Sequence, residues 1–497
     1  MANVTPPCTI AIFGAVGDLT KKLLMPAVYD LAASGLLDAQ THLLGLDHND
    51  CGQDGWGNEM SDALHAFATK QFDPSKVRSG DDEAYSFVMS RLEYVHFDFE
   101  SDEDFQALSK RLESTGNVLF YLAVAPRFFE TIVEKLSHAG ALVENDQRFR
   151  RVIIEKPFGT SIDSARKLNE QLRSVAAESQ LYRIDHFLGK EAVQGIPALR
   201  FGNGLFEPFF NRDAVSSVQI TAAETVGVAE RGSFYEGTGA LRDMIPNHLF
   251  SLLTQVAMER PRSFEGDVVR DAKATLLSAI PPILPADAAR GQYAAGTVEG
   301  QPVPAYRDEH NVARDSRTET YAALTVRIDN SRWRDVPFYL RTGKRMGAHV
   351  TTIALTLRNP PDPFEADPVA PNLLLLGIDP QRGMVQRFSA KRPGVDLALG
   401  PAEMGFRYET TFDEPPNVGY ETLLYHALVG EGLLFQRSDM IEFEWAAVQP
   451  VLDAWEKSPE TPELYAAGSE GPPTGDELLS RNGDKWLPVA PLDTLGT

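Results

Sequence analysis

Short apolar runs alternate with amphipathic segments along the amino-terminal part of the chain. The apolar runs cover residues 8–15, 42–46, 118–124, 151–154 and 181–184. Runs this short and this continuously apolar are typical of parallel strands that are buried on both faces. The segments between them repeat apolar residues with helical spacing, as in residues 19–33, which Gly35 follows. The pattern predicts an α/β domain with a parallel sheet over residues 1–185.

After about residue 191 the periodicity changes. Runs that alternate apolar and polar residues recur at 218–224, 321–328, 337–341, 350–357, 373–378 and 384–388. This period of two predicts a large, mainly antiparallel sheet in an α+β domain over residues 186–497, with helices on one face. The tail at 459–482 is rich in Pro, Gly, Ser and Glu, and we expect it to run over the surface.

One long apolar segment, residues 239–259, has helical periodicity but contains Pro246. A proline removes one backbone donor from a helix, here the donor that would reach the carbonyl of Arg242. We therefore expect a kink at this point. Asp243 and His248 lie on either side of it.

The composition of the chain argues against nucleic-acid binding, zinc binding and membrane insertion. The 497 residues carry a formal net charge of −23, and without a clustered basic run this charge argues against a nucleic-acid partner. Cys8 and Cys51 are too few for a disulfide framework and lie too far from any histidine cluster for a zinc site. No apolar run is long enough to span a bilayer, and the first residues do not have the pattern of a signal peptide. We expect a soluble, cytoplasmic protein without a metal.

A glycine-containing turn joins the first apolar run to the first predicted helix. Such a strand–turn–helix unit binds dinucleotides, because glycine lets the backbone approach the pyrophosphate and the helix start favours its negative charge. A tight turn without a ligand is the alternative. The unit predicts a Rossmann-like domain whose cofactor contacts include Gly14, Ala15, Val16, Gly17, Asp18 and Leu19.

The second apolar run is followed by Asp47 and His48. An acid at this point of a Rossmann-like fold binds the ribose hydroxyls of NAD, whereas a nearby arginine accommodates the additional phosphate of NADP. The first arginine after this run is Arg78. The pattern favours NAD, or use of both cofactors, unless Asp47 only caps the next turn.

Several charged residues follow the ends of the apolar runs. Lys156 follows the run at 151–154, and the last run leads directly into Asp185, His186 and Lys190. The carboxyl ends of parallel strands are where open α/β sheets bind ligands, so the stretch from 185 to 190 could orient a base, bind an anion and hold a sugar hydroxyl, and Lys156 could meet substrate and nicotinamide. A charged surface loop between a strand and a helix is the alternative.

A histidine on an otherwise apolar helix, such as His248, is often only a core residue. Paired with a carboxylate it becomes a general base, because the acid fixes the tautomer and stabilises the imidazolium. Asp185 is the candidate partner. Lys344, after the run at 337–341, and Glu224, after the run at 218–224, are candidates for a hydroxyl-rich ligand; a solvated strand end is the alternative for Lys344.

Five motifs together resemble the glucose-6-phosphate dehydrogenase family along nearly the whole chain. They are GAVGDL at 14–19, EKPFG at 155–159, RIDHFLGKE at 183–191, RDMIPNH at 242–248 and PFYLRTGKR at 337–345. The resemblance implies oxidation of glucose 6-phosphate to 6-phosphoglucono-δ-lactone with hydride transfer to NADP or NAD. It also implies a homodimer or a homotetramer.

The resemblance also implies roles for individual residues. His248 would be the base and Asp185 would orient it. His186 and Lys190 would hold the phosphate, and Lys156 would contact both substrate and cofactor. The remaining implied contacts are Ala123 for the cofactor and Glu224, Asp243 and Lys344 for the sugar.

The chain departs from the family pattern at five positions. The family commonly has tyrosine, lysine, a second cation, glutamine and arginine at the positions of Phe187, Leu23, His349, Pro246 and His48. The first three departures predict weaker anion binding and a higher Michaelis constant, and the last one puts strict NADP specificity in doubt. Two other readings stay open: a related sugar dehydrogenase with Lys156 as the base, and a non-catalytic paralogue that binds dinucleotide and sugar phosphate.

Overall fold

A computed structural model of the protein describes residues 3–71, 83–359, 371–412 and 419–494, without the side chains of residues 68–71. Arg78 lies outside these residues. The chain divides into two compact units. The first is formed by Met1–Glu191, Pro261–Asp271 and Pro415–Ile441, and the second by Ala192–Arg260, Ala272–Glu414 and Glu442–Thr497. The predicted single boundary between residues 185 and 186 stays a prediction.

The first unit is built on a sheet that is parallel except at one edge. Its strands, in spatial order, are Phe435–Gln436, Leu181–Ile184, Arg150–Ile154, Asn117–Leu122, Cys8–Phe13, His42–Asp47 and Leu92–His96. The edge strand Phe435–Gln436 pairs antiparallel with Leu181–Ile184, and the other pairs are parallel. Every residue of Cys8–Phe13 is buried, as expected for a strand covered on both faces. The predicted Rossmann-like α/β domain is confirmed.

Helices connect these strands. The first connection begins with the π-helical turn Thr20–Leu24 and continues as Met25–Ala33, and Gly35 follows with a positive φ of 66°. The other helices of this unit are Gly52–Gln71, Glu83–Met89, Asp102–Leu112, Phe129–His138, Ile162–Val175 and Tyr420–Val429. The chain also forms helices Gly266–Ser278 and Ser438–Lys457.

The second unit contains a larger sheet. Its strands, in spatial order, are Leu399–Arg407, Gly383–Lys391, Leu373–Asp379, Val350–Leu357, Val215–Ala223, Phe338–Gly343, Tyr321–Val326, Ala288–Ala294 and Glu463–Ala466. Two pairs are parallel, Val215–Ala223 with Phe338–Gly343 and Ala288–Ala294 with Glu463–Ala466. The other pairs are antiparallel. The predicted large, mainly antiparallel sheet is confirmed.

The tail, which we expected to run over the surface, also contributes a strand and a helix to the second unit. Glu463–Ala466 is an edge strand of the sheet, and Pro473–Ser480 is a helix whose Leu478 and Leu479 are buried in the same apolar cluster as Tyr465. The polar composition of the tail concealed these few apolar anchors. Further elements are the hairpin Gly296–Val298 with Gln301–Val303 and helices Glu191–Gly202, Gly232–Met244, Ile245–Leu249, Phe250–Ala257 and Tyr408–Thr411.

The predicted kink is present. Pro246 has φ −79° and ψ 42°, outside the helical region, and the chain around it forms the π-helical turn Ile245–Leu249 between two α-helices. In the part of the chain that the structure describes, no helix combines the length and the apolar character needed to cross a bilayer.

Candidate active site

The glycine turn of the first unit requires glycine at its first position. Gly14 has φ 82°, and a Cβ atom on it would lie 2.3 Å from the carbonyl oxygen of Ala123. Its N–H donates to the carbonyl of Leu46 at 2.9 Å. The sheet therefore brings together Gly14 and Ala123, two predicted cofactor contacts. A turn that begins with glycine, at the carboxyl end of a central strand and before a helical segment, fits a dinucleotide pyrophosphate.

Asp47 fixes this turn in place. The carboxylate is 3% exposed; Oδ2 accepts the N–H of Val16 at 3.0 Å, and Oδ1 accepts the N–H of Asn49 at 3.1 Å. Asp47 therefore caps its own turn and also binds the glycine turn, so it does more than the local capping that was the alternative. Trp56, which the sequence pattern did not single out, adds an indole N–H bond to the carbonyl of Ala15 at 3.0 Å.

His48 lies beside this carboxylate but points outward. Its Nδ1 is 3.2 Å from Oδ1 of Asp47, and 68% of its side chain is exposed. A group bound at the end of strand His42–Asp47 would meet the buried acid and the exposed imidazole. Asp18 and Leu19, the first helical residues, follow the glycine turn. The Asp18 carboxylate accepts a hydrogen bond from the Lys22 ammonium at 2.8 Å.

Lys156 is half-buried and follows strand Arg150–Ile154 at the carboxyl edge of the sheet. Its neighbour Glu155 is buried, and its carboxylate accepts the hydroxyl of Tyr121 at 2.6 Å and a hydroxyl hydrogen bond from Tyr420. Burial raises the pKa of Glu155 to about 7, although both hydroxyls and the Lys156 charge lower it. This residue was not among the predicted site residues.

Asp185 starts the turn that carries the predicted phosphate ligands. Its carboxylate is buried and accepts the N–H of Phe187 at 3.0 Å, which begins the 3₁₀ turn His186–Gly189. The His186 ring stacks on Tyr420 at a centroid distance of 6.3 Å. The Lys190 ammonium lies 4.7 Å from the ring centroid of Phe187, a cation–π distance. The local fold thus places Asp185, His186 and Lys190 on one short turn.

The second unit brings together three predicted sugar ligands. The Lys344 ammonium donates to Glu224 at 2.6 Å and lies 5.3 Å from the ring centroid of Tyr235. The pKa of Tyr235 is raised far above its usual value, first by burial and then by the charges of Asp243 and Glu224. Lys344 therefore lies against a buried tyrosine whose pKa responds to the charges of Glu224 and Asp243, and this tyrosine belongs to none of the sequence motifs.

His248 is buried on the π-helical turn that Pro246 creates. Asn247 compensates for the missing proline donor: its Nδ2 donates to the carbonyl of Arg242 at 3.4 Å, and its Oδ1 accepts the N–H of His248 at 2.6 Å. The turn packs against strands Val215–Ala223 and Phe338–Gly343. Glu224 and Lys344 are the residues that directly follow these two strands.

Two family models match this chain. The model described as "Glucose-6-phosphate dehydrogenase, NAD binding domain" matches residues 11–195, and "Glucose-6-phosphate dehydrogenase, C-terminal domain" matches residues 197–487. Glucose-6-phosphate 1-dehydrogenase 2 of Mycobacterium tuberculosis is 40% identical, over 98% of this chain and 95% of its own length. The chain belongs to the glucose-6-phosphate dehydrogenase family.

Two solved structures of the family have the same fold. A glucose-6-phosphate dehydrogenase in complex with its substrate glucose-6-phosphate is similar with a TM-score of 0.89 and 30% identity, over 98% of this chain and 99% of that chain. The enzyme from Mycobacterium avium is similar with a TM-score of 0.83 and 35% identity, over 98% of this chain and all of that chain. The resemblance stated from the motifs is confirmed. The roles of individual residues, including the pairing of Asp185 with His248, stay predictions.

Proposed function

We propose that this protein is a glucose-6-phosphate dehydrogenase that converts glucose 6-phosphate to 6-phosphoglucono-δ-lactone. Hydride leaves the anomeric carbon and its hydroxyl loses a proton, so the products are the lactone, reduced nucleotide and one proton. The observation that carries the proposal is the match of nearly the whole chain to a family member solved in complex with its substrate glucose-6-phosphate.

His248 takes the proton of the anomeric hydroxyl. An unperturbed histidine pKa of about 6.5 suits a base near neutral pH, and such catalysis contributes on the order of 10²–10⁴-fold. Asp185 would orient the imidazole and stabilise its protonated form. Each of the two side chains is buried, which supports these roles because water competes less for their hydrogen bonds.

The substrate is held at both ends. His186 and Lys190 would bind the phosphate, and their support by neighbouring aromatic rings limits their freedom before binding. Glu224, Asp243 and Lys344 would bind the sugar hydroxyls, with the ion pair between Lys344 and Glu224 setting their orientation. Binding energy from the distant phosphate thereby positions the reacting carbon.

The nucleotide would be held by the glycine turn, Ala123 and Lys156, and when bound its nicotinamide ring would accept the hydride. We propose that NAD is used, alone or together with NADP. The buried Asp47 carboxylate at the end of strand His42–Asp47 supports this choice, because its charge repels a 2′-phosphate there. Initial rates measured with NAD and NADP separately test the choice. A tenfold preference for NADP, about 1.4 kcal/mol, would mean that another residue recognises the 2′-phosphate and would contradict the role given to Asp47.

Two variants test the assignment of the base. His248→Ala should lower kcat by about 10³-fold with little change in the Michaelis constant for the nucleotide, whereas Lys156→Ala should raise the Michaelis constants for both substrates. The measurement is nucleotide reduction with glucose 6-phosphate. Retained turnover in His248→Ala and its loss in Lys156→Ala would instead make Lys156 the base. No reduction of either nucleotide by the unmodified protein would overturn the proposed function.

The family resemblance also leads us to propose a homodimer or a homotetramer. Light scattering coupled to size-exclusion chromatography tests this proposal directly. A mass equal to the chain's 54.7 kDa would contradict it.

A further inference from the structure

The helix that leads to Asp243 and His248 is interrupted inside the second unit. Gly239 has φ 69° and ψ 172°, so the helical hydrogen bonding stops there and restarts at Ala240. A new helical start leaves backbone N–H groups without partners in the preceding turn. Whatever accepts those N–H groups also fixes the direction of the segment that follows.

Glu319 accepts the backbone N–H groups of the two residues after the break, Ala240 and Leu241. Its Oε1 accepts the N–H of Leu241 at 3.1 Å, and its backbone carbonyl accepts the N–H of Ala240 at 2.9 Å. The carboxylate lies so close that a Cβ atom on Gly239 would come within 2.3 Å of Oε1. Glycine is therefore needed at 239 both for its positive φ and for the approach of this carboxylate.

The same short segment also anchors the substrate lysine. The carbonyl of Thr320 accepts the N–H of Lys344 at 2.9 Å. The hydroxyl of Tyr465 donates to the carbonyl of Lys344 at 2.6 Å and lies 3.0 Å from the Thr320 hydroxyl. Two adjacent residues thus connect the backbone before Asp243 to the backbone of Lys344.

The environment of Glu319 suits a fixed acceptor. The residue is 6% exposed, and burial raises its pKa, whereas the Leu241 N–H and the charges of Arg242 and Arg290 lower it. This buried carboxylate is costly to replace, since its removal leaves the Leu241 N–H unsatisfied, whereas the Ala240 N–H keeps the backbone carbonyl of Glu319.

We propose that Glu319 is a positioning residue of the active site: by capping the segment after Gly239 it sets where Asp243 and His248 stand relative to Lys344. This proposal rests on the proposed function for its kinetic consequence. Glu319 itself touches none of the reacting atoms in this assignment, and acts only through the backbone that it holds.

The test compares Glu319→Ala and Glu319→Gln with matched controls at Glu236. Glu236 lies on the same helix before the break, and its carboxylate accepts the hydroxyls of Tyr306 and Ser316 at 2.6 Å. Glu236→Ala therefore removes the hydrogen bonds of a carboxylate on the same helix, and Glu236→Gln keeps one acceptor oxygen, while neither variant touches the N–H groups at 240 and 241.

Two readouts are measured on the full chain. We expect Glu319→Ala to lower kcat about 30-fold or more with the Michaelis constant for the nucleotide within about twofold, because small misplacements of catalytic groups are costly. Hydrogen exchange of amides 240–249 should be about tenfold faster. Glu319→Gln keeps an acceptor oxygen and should recover kcat to within about threefold of the unmodified protein, and neither Glu236 variant should change these quantities.

Several outcomes would overturn the proposal. One is a kcat and an exchange pattern in Glu319→Ala that match those of Glu236→Ala. Another is failure of Glu319→Gln to restore either quantity. If Glu319→Ala does not fold, the glutamine variant and its Glu236 control decide. An unmodified protein without turnover would overturn the proposed function, and the exchange of amides 240–249 would then decide the positioning role alone.

Discussion

Replacing Gly14 by alanine tests the geometry of the cofactor turn, and Gly35 supplies a matched control. Both glycines have positive φ, 82° and 66°. A Cβ atom at Gly14 would lie 2.3 Å from the Ala123 carbonyl oxygen, whereas one at Gly35 would meet nothing within 4 Å. The two variants therefore share the conformational penalty and differ in the clash.

The expected magnitudes follow from these distances. A left-handed conformation costs an alanine about 1–2 kcal/mol, which should lower the melting temperature of each variant by a few degrees. Cβ atoms essentially never approach a neighbouring heavy atom closer than 3.0 Å, so Gly14→Ala must open its 2.3 Å contact by at least 0.7 Å. Because misplacements of about 1 Å can cost on the order of 10²-fold, we expect a loss of at least tenfold in nucleotide binding.

The assay is the Michaelis constant for the nucleotide and for glucose 6-phosphate, together with the melting temperature. Gly14→Ala should raise the nucleotide constant at least tenfold, a factor that corresponds to about 1.4 kcal/mol, and leave the sugar phosphate constant within about twofold. Gly35→Ala should change only the melting temperature. Equal nucleotide constants in the two variants would refute the assignment of the turn as a cofactor contact.

Three further changes probe other parts of the site. His48→Arg should raise kcat/KM for NADP about tenfold, because arginine can bind the 2′-phosphate with two hydrogen bonds, whereas the exposed control His138→Arg should leave it unchanged. An unchanged kcat/KM in His48→Arg would contradict the placement of the 2′-phosphate beside residue 48. Asn247→Ala removes the side-chain partners of the Arg242 carbonyl and of the His248 N–H, so the free energy of unfolding should fall by about 2–4 kcal/mol, and turnover should fall as well. Asn247→Asp keeps only the acceptor, so its free energy of unfolding, measured by denaturant titration, should lie between those of the other two proteins. The pKa of Glu155 is about 7 in the folded protein and 4.5 for the free side chain, so the folded state binds more protons between these two pH values. The free energy of unfolding therefore falls as the pH rises from 4.5 to about 7. The total decrease is about 3 kcal/mol, at about 1.36 kcal/mol per pKa unit. Glu155→Gln should remove that slope in denaturation midpoints measured from pH 5 to 8, and parallel curves for the two proteins would count against the buried, neutral carboxyl.

Local patterns were sufficient for the elements whose environment is uniform along their length. Strands of a parallel sheet that are buried on both faces consist of continuous apolar runs in the sequence. Strand Cys8–Phe13, in which every residue is buried, is an example. The kink at Pro246 also follows from local chemistry, because a missing donor is a property of the residue itself. The motif residues on single turns, such as Asp185 with His186, needed only their adjacency in the chain.

Elements with mixed environments were missed. Strand Leu399–Arg407 is half-exposed on both faces, and strand Glu463–Ala466 is short and lies in a polar tail. Their pairing depends on neighbours distant in the chain, which no local period encodes. For the same reason the sequence did not show that Pro261–Asp271 and Pro415–Ile441 belong to the first unit.

The family, the fold class of both parts and the set of candidate site residues could be predicted from the sequence, because each depends on residue types at fixed local spacings. What holds those residues in place became visible in the folded structure. The contact of Asp47 with the glycine turn, the contact of Lys344 with Tyr235 and the capping of the segment after Gly239 by Glu319 all join residues far apart in the chain. Such contacts exist only once the sheets have formed and brought distant segments within hydrogen-bonding distance.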